Sequence, residues 1–188
     1  MGDVSDGMND GDTPGAVLRE LVTEAVDAES VTLRADDVDL IERGDDPGPA
    51  ARLPALVAAG DTVVGVVPRA DPQLVRRLLG DTGDESIADI DVGESDSGTV
   101  RVVFTGRAAG RLTGTSGPVV RSILAEHGID AYRHDGDSPI GVLLVDDRAV
   151  VGLFDERGLA ALLWSDAPAV REWAAATCRR YLSAAEPV

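Results

Sequence analysis

One short run of β-branched residues places the strongest limit on the fold of this chain. Residues 61–67 read DTVVGVV, and Pro68 follows directly. A strand of this composition is apolar on both faces, which is typical of a strand in a sheet that has helices packed on each side. The run therefore predicts an α/β domain whose sheet is covered on both faces.

The rest of the chain alternates between helix patterns and strand patterns. Helices are predicted where apolar residues recur three and four positions apart, and strands where they alternate with polar residues or form short runs. The predicted helices cover residues 14–28, 50–59, 71–79 and 118–127, and a last helix runs from an Asp166 cap to residue 184. The predicted strands cover residues 30–34, 61–67, 99–105, 129–133, 140–145, 149–154 and 159–164.

This order predicts one α/β domain over residues 14–188, with a mixed, mostly parallel sheet flanked by helices. Antiparallel strands are expected toward the C-terminal end, because residues 140–154 have the pattern of a hairpin about Asp146-Asp147-Arg148. Residues 1–13 are rich in Gly and Asp and are expected to be a disordered acidic tail. Residues 35–49 are expected to form a loop, and residues 80–98 a flexible surface loop.

The charge of the chain excludes one large class of partners. The 34 acidic residues outnumber the 17 basic ones, and every basic residue is Arg. We interpret this surface as an adaptation to a salt-rich cytoplasm such as that of a halophilic archaeon; the alternative is an ordinary acidic mesophilic protein. Binding to nucleic acid needs clustered positive charge, so no direct nucleic-acid binding is expected.

The sequence also indicates where the protein works. Cys178 is the only Cys and has the position of a buried structural thiol, so neither an internal disulfide nor a thiolate zinc site is expected. There is no signal-peptide pattern and no apolar run of about 18 residues that would suggest a membrane span. We expect a cytoplasmic protein with no membrane association.

Several kinds of catalysis are excluded by composition. A chain with no Lys has no P-loop Lys, no Schiff-base Lys and no protein-kinase Lys. The Gly-rich residues 106–117 allow an anion site at a helix start, although Thr115 or Ser116 serving as an ordinary helix cap is the simpler interpretation. His134, Asp135 and Asp137 allow a metal site, but a turn is the more common structure for such a segment. We expect no metal and no cofactor.

Two segments resemble a known family. Residues 134–155 read HDGDSPIGVLLVDDRAVVGLFD, and residues 162–173 read LLWSDAPAVREW, followed by Tyr181 and Glu186. Both resemble the domain downstream of the winged helix in archaeal transcription regulators, of the methanogenesis regulatory protein middle-domain type, and are similar to TrmB-like regulators. The resemblance covers roughly residues 30–188 and is best after Gly128. It implies an effector-sensing regulatory domain.

The same resemblance implies a phospholipase D-like half-unit as the fold. Active members carry a His-x-Lys-x4-Asp motif, in which the His attacks phosphorus and the Lys binds the phosphoryl oxygens. With the motif's Asp set on Asp146, Pro139 falls at the His position and Gly141 at the Lys position. The resemblance therefore implies a non-catalytic relative; a phosphodiesterase-like hydrolase with a diverged site is the alternative.

This chain offers one helix and a tail where those regulators carry a winged helix. The expected protein is thus a stand-alone sensor that forms a homodimer, or one that associates with a DNA-binding regulator. A pure interaction module without a ligand is a third possibility.

The expected ligand site comprises Arg69, Arg107, His134 and Asp135. The first three follow three different predicted strands, and ligands of open α/β sheets bind beyond the carboxyl ends of the strands. Two Arg and a His suit a small anionic metabolite, because the Arg fork pairs with carboxylate or phosphate in bidentate fashion. The alternative is that both Arg only neutralise nearby acids on the surface.

Overall fold

The computed structural model describes residues 13–27, 35–70 and 99–188. The predicted strand at residues 30–34, the helix at residues 71–79, the loop at residues 80–98 and all but the last residue of the predicted tail lie outside the described residues. The helices are α1 (Pro14–Asp27), α2 (Pro49–Ala58), α3 (Gly106–Thr113), α4 (Gly117–Glu126) and α5 (Pro168–Ser183), with a 3₁₀ turn at Ala35–Asp37. The strands are β1 (Asp39–Glu42), β2 (Val63–Val67), β3 (Val100–Phe104), β4 (Ile129–Arg133), β5 (Ile140–Val145), β6 (Arg148–Asp155), β7 (Gly158–Ser165) and β8 (Glu186–Pro187).

The described strands form a single mixed sheet in the order β1-β7-β6-β5-β2-β3-β4-β8. The α/β class and the antiparallel C-terminal strands are therefore confirmed. The expectation of a mostly parallel sheet needs a correction, because among the described strands only β2–β3 and β3–β4 pair in parallel. Tight turns join β5 to β6 and β6 to β7, and a tight turn can connect only antiparallel neighbours.

Helices cover both faces of the sheet, as the apolar run at residues 61–67 predicts. On one face, called the α1 face, α1 and α5 pack over central strands through buried side chains: Leu18, Val22, Val170, Ala174, Val66, Val142, Val151 and Leu163. On the opposite face, called the α2 face, α2 packs through Leu53 and Leu56, and α3 and α4 pack through Leu112 and Leu124. Val150 and Val151 point to opposite faces, in keeping with the two-residue period of a strand.

The thiol of Cys178 lies in the core of the α1 face. Only 2 % of Cys178 is exposed, and burial raises the pKa of the thiol to about 12. A buried, protonated thiol agrees with the structural role expected from the sequence.

Helix α3 and strands β1 and β8 differ from the sequence prediction, which places no helix or strand at their residues. Helix α3 lies in the Gly-rich stretch; it forms because Ala108, Ala109 and Leu112 are buried against the sheet, and this burial outweighs the poor helix propensity of Gly. Strand β1 lies in the predicted acidic loop at residues 35–49 and pairs antiparallel with β7 at one edge of the sheet. Its two ends are Asp39 and Glu42, and charged residues are typical of an edge strand.

The helix caps also need correction. Asp166 does not cap α5; Ala167 is the N-cap residue, and the Asp166 carboxylate accepts hydrogen bonds of 2.8 and 3.0 Å from Arg148. This pairing with Arg148 lowers the pKa of Asp166. Ser116 precedes α4 without a side-chain cap hydrogen bond. Thr13 caps α1, since its hydroxyl accepts a hydrogen bond from the Ala16 amide at 3.2 Å.

Within the described ranges, the helices are too short or too polar to cross a membrane.

Two Gly residues in α3 and α4 give a matched test of this packing. A methyl group at Gly117 would collide with the backbone of Leu112, whose carbonyl carbon lies 2.8 Å from the place that the methyl carbon would take. One at Gly110 would meet no atom within 4 Å. We expect Gly117→Ala to lower the free energy of unfolding by about 1–3 kcal/mol, because backbone cannot move aside cheaply. Gly110→Ala should raise it by about 0.4–1 kcal/mol. Urea unfolding of both variants measures the difference, and equal effects would contradict the described contact.

Candidate ligand site

The residues that the sequence predicts to bind a ligand lie at one edge of the sheet. Strands β2, β3 and β4 run in parallel and end there, while antiparallel β5 begins there and β6 ends there. We call this region the carboxyl edge, and define it as residues 68–70, 105–107, 134–139 and 155–157. In open α/β sheets this is the side on which ligands bind.

Backbone hydrogen bonds hold the segments of the carboxyl edge together. The Ala108 amide donates to the Pro68 carbonyl at 3.1 Å, and the His134 amide donates to the Phe104 carbonyl at 3.0 Å. The Gly106 amide donates to the Gly136 carbonyl at 3.2 Å. The segments that follow the three parallel strands are therefore fixed against one another before any ligand arrives.

Arg69 lies directly after β2 and is bound to the end of β6. Its Nη1 donates a hydrogen bond of 2.5 Å to the backbone carbonyl of Asp155. The Asp155 carboxylate in turn accepts two hydrogen bonds from Arg43, at 2.6 and 2.8 Å, and one from the Arg157 amide at 2.8 Å. The hydrogen bonds from Arg43 hold the pKa of Asp155 at about 2, so this carboxylate is ionised at neutral pH.

Arg107 stands in the first turn of α3 and, unlike Arg69, has no side-chain partner among the described residues. The residue is exposed, and it makes no ion pair or side-chain hydrogen bond with the part of the chain that the structure describes. The adjacent Gly106 has φ +49° and packs against the Asp137 carboxylate, so a side chain there would be excluded. The guanidinium of Arg107 is thus available to a ligand, next to one carboxylate.

His134 and Asp135 lie directly after β4. The Nδ1 of His134 accepts a hydrogen bond of 2.9 Å from the Gly136 amide, which leaves Nε2 as the position for the proton of the neutral ring. The ring packs edge-on against Tyr181, with ring centroids 5.0 Å apart. Asp135 is exposed, and its Oδ1 lies 3.5 Å from Nη2 of Arg133, which also pairs with Glu186.

The four predicted residues therefore share one edge of the sheet but do not form one cluster of side chains. Within the described ranges, no hydrogen bond or ion pair joins Arg69, Arg107, His134 and Asp135 to one another. Arg69, His134 and Asp135 each contact a different neighbour, and Arg107 has no side-chain partner in the described part of the chain. Among the described residues, no group of three His, Cys, Asp or Glu side chains is arranged to hold a metal ion.

The structure adds Arg43, Asp155 and Arg157 to the carboxyl edge. The position of Asp155 could have been inferred from the hairpin pattern. Strand β6 returns from the Asp146-Asp147 turn and therefore ends at the same edge of the sheet as β2. No comparable signal marked Arg43, because the strand before it lies in a segment that reads as an acidic loop.

The three residues that the sequence aligns with the His-x-Lys-x4-Asp motif lie at or next to the ends of strand β5, in the hairpin β5–β6. Pro139 lies at the carboxyl edge and is exposed. Gly141 is the second residue of β5, and a Cβ there would lie 3.0 Å from the Phe154 ring. Asp146 lies at the far end of β5 with φ 47°. Its carboxylate accepts hydrogen bonds from the amides of Asp61, at 3.2 Å, and Thr62, at 2.9 Å, which is a structural role in the turn.

This mixed sheet with helices on both faces defines the chain as an α/β domain. A family model described as the middle domain of the methanogenesis regulatory protein FilR1 matches residues 47–184. The chain belongs to this family. A search of curated proteins found no match.

Solved structures show the same fold at low sequence identity. TrmBL2, an archaeal chromatin protein, is 12 % identical with a TM-score of 0.51, and the match covers 90 % of this chain and 61 % of that one. Nuc of Salmonella typhimurium, a phospholipase D family member, is 13 % identical with a TM-score of 0.57, over 80 % of this chain and 97 % of Nuc. NucT of Helicobacter pylori is 10 % identical with a TM-score of 0.58, over 80 % and 98 %. These likenesses confirm the phospholipase D-like fold.

Proposed function

We propose that this domain binds a small anionic metabolite at the carboxyl edge and carries out no catalysis there. The observation that carries the proposal is the composition of that edge. In the register that sets the motif's Asp on Asp146, the His and Lys positions hold Pro139 and Gly141, while Arg107 remains exposed and unpaired among the described residues. In this register the hairpin lacks the motif's His, and Arg107 provides a group that can bind an anion.

The carboxylates of the edge narrow the class of ligand. Asp135 is exposed, and the Asp137 carboxylate packs against Gly106 at the start of α3. Carboxylates accept hydrogen bonds from hydroxyl groups but repel a second anion. A ligand with one anionic group for Arg107 and hydroxyl groups for the Asp side chains, such as a sugar phosphate or a hydroxy acid, suits this arrangement.

The proposal extends to partners. The domain is proposed to act as a homodimer or in association with a DNA-binding regulator, without contacting nucleic acid itself. The net charge of −17 opposes an approach to phosphates, and the similarity to TrmBL2, an archaeal chromatin protein, favours a place beside a DNA-binding protein. Because the chain belongs to a family of regulatory-protein domains, we propose that a bound metabolite strengthens or weakens this association.

A thermal-shift screen in 2 M KCl tests the ligand site. The compounds are sugar phosphates, nucleoside monophosphates and hydroxy acids, and a ligand present at 100 times its dissociation constant stabilises the fold by about 2.7 kcal/mol. We expect at least one compound to raise the melting temperature of the wild type, and Arg107→Ala and His134→Ala to weaken that rise.

Arg111→Ala is the matched control, because Arg111 is exposed on the same helix one turn further on. This variant should respond to the compound as the wild type does. A compound that stabilises wild type, Arg107→Ala and His134→Ala equally would remove the carboxyl edge as the site. If no compound stabilises the wild type, the domain is an interaction module without a ligand from these classes.

A further inference from the structure

The orientation of the His134 ring at the carboxyl edge is set by its neighbours. The terminal torsion of a His side chain is broad and roughly two-fold, so rotation of the ring by half a turn is intrinsically easy. That rotation exchanges the position of Nδ1 with that of a ring carbon. His134 is half-buried directly after β4, and two neighbours, Gly136 and Tyr181, contact its ring. Any fixed orientation must come from these contacts.

Gly136 approaches the ring too closely for a side chain at this position. Its amide donates a hydrogen bond of 2.9 Å to Nδ1 of His134. A Cβ on Gly136 would lie 2.7 Å from Cε1 and 2.9 Å from Nδ1 of the same ring, which is closer than real Cβ atoms come to other atoms. The lack of a side chain at Gly136 therefore permits the hydrogen bond that sets the tautomer of His134.

Tyr181 is the second neighbour and belongs to the last turn of α5. Its ring meets the His134 ring edge to face, with centroids 5.0 Å apart, which is a favourable arrangement of two aromatic rings. The Tyr181 hydroxyl donates a long hydrogen bond of 3.5 Å to the Asp137 carbonyl. Helix α5 is itself fixed to the sheet through the buried residues Ala174 and Cys178. Tyr181 therefore contacts the segment that follows β4 from a helix that is anchored in the core.

We propose that Tyr181 is a positioning residue of the ligand site and holds His134 as a fixed hydrogen-bond donor. With Nδ1 accepting from Gly136, the neutral ring carries its proton on Nε2, which has no partner among the described residues. The ligand atom that meets His134 is then an acceptor, such as a phosphoryl, carboxyl or carbonyl oxygen. The identity of this atom rests on the proposed function, whereas the positioning of the ring does not.

Nitrogen NMR of the two His rings tests the positioning without a ligand. His127 is an internal control, because its Nδ1 lies 2.8 Å from the Ile123 carbonyl and must carry the proton to donate to it. At pH 8, at which a free imidazole is neutral, we expect the Nε2–H tautomer for His134 and the Nδ1–H tautomer for His127. A coupling between the nitrogen nuclei of Gly136 and His134, transmitted by the hydrogen bond, should be present.

Variants of Tyr181 separate positioning from simple packing. Tyr181→Leu should abolish the coupling between Gly136 and His134, because the imidazole is then able to rotate. Tyr181→Phe keeps the aromatic ring and should keep the coupling, and the His127 signals should be unchanged in both variants. Tyr181→Gln replaces Tyr181→Leu if circular dichroism shows that the Leu variant is not folded. A wild type without the coupling would overturn the proposal, and so would a coupling that survives the loss of the aromatic ring.

Inorganic phosphate then distinguishes this inference from the proposed function. Phosphate should shift the Nε2 signal of wild-type His134 and leave His127 unchanged, and the shift should be smaller in Tyr181→Leu and in Arg107→Ala. If the coupling to Gly136 is present and phosphate moves no His134 signal, the result counts against an anion site at the carboxyl edge. The loss of the coupling in Tyr181→Leu would still support the positioning of His134.

Discussion

Leu18→Ala is expected to lower the free energy of unfolding by about 2–5 kcal/mol, which is a large share of the stability of a domain. Leu18 is 0 % exposed and belongs to the core cluster that joins α1 to the sheet. Removing its isobutyl group leaves a cavity that rigid strands cannot fill. The melting temperature should fall by about 2–4 °C for each kcal/mol lost, measured by calorimetry at constant salt.

This variant tests whether α1 is part of the domain. Helix α1 precedes residue 47, at which the match to the regulator family begins, so only the structure assigns α1 to the core. Arg19→Ala is the matched control, since Arg19 is the next residue and is exposed; its effect should stay within about 0.5 kcal/mol. Equal stabilities of Leu18→Ala and Arg19→Ala would show that α1 does not pack as described.

The second large effect is expected from salt. The chain carries a net charge of −17, and the described residues form six ion pairs, none with a fully buried partner. Like charges repel over about 10 Å at 0.1 M salt and over about 3 Å at 1 M. The melting temperature should therefore rise between 0.1 and 2 M KCl, by about 2–4 °C for each kcal/mol of repulsion that salt screens.

A pair of exposed carboxylates on α1 separates charge screening from a general effect of salt on protein surfaces. Glu20 and Glu24 are four residues apart on the helix, where like charges destabilise. Glu20→Gln and Glu24→Gln together should raise the melting temperature at 0.1 M KCl more than at 2 M, and so reduce its dependence on salt. A wild-type melting temperature that is the same at both concentrations would contradict the account.

The sequence predicted the central strands and most helices because their patterns are strong and local. The run at residues 61–67 is β2, and the two strands around Asp146-Asp147 are the hairpin β5–β6. Helix α2 forms despite Pro54, because Leu53 and Leu56 are buried against the sheet. In each case the residues that set the secondary structure are the same ones that pack the core.

Features that depend on tertiary contacts were not predictable in this way. Helix α3 is rich in Gly and is stabilised by the burial of Ala108, Ala109 and Leu112. The local sequence does not show that these three side chains are buried. Strand β1 depends on β7, a partner more than a hundred residues away. Asp166 pairs with the Arg148 guanidinium instead of capping the helix, and this contact also joins residues that are not local in sequence. The sequence pattern also does not show which strands become neighbours in the sheet, so the numbers of parallel and antiparallel pairs could not be predicted from it.

The candidate site was predicted in part. The residues Arg69, Arg107 and His134 do follow three parallel strands, so their common edge could be derived from sequence. Their individual partners could not: Arg69 binds the Asp155 carbonyl, and His134 packs against Tyr181 at the end of the chain. These contacts join segments that are distant in sequence. Of the four predicted site residues, Arg107 is the one without a side-chain partner among the residues that the structure describes.

Turnover of a phosphodiester tests most directly the central claim that this fold serves binding without catalysis. Attack on phosphorus by His would require His134, because the chain has only one other His, and that residue, His127, caps the C-terminal end of α4. Pure protein is incubated with bis(p-nitrophenyl) phosphate in 2 M KCl and EDTA, and release of p-nitrophenol is measured. We predict release at the rate of a protein-free blank. Release that grows with protein concentration, is lost in His134→Ala and persists in His127→Ala would contradict the account.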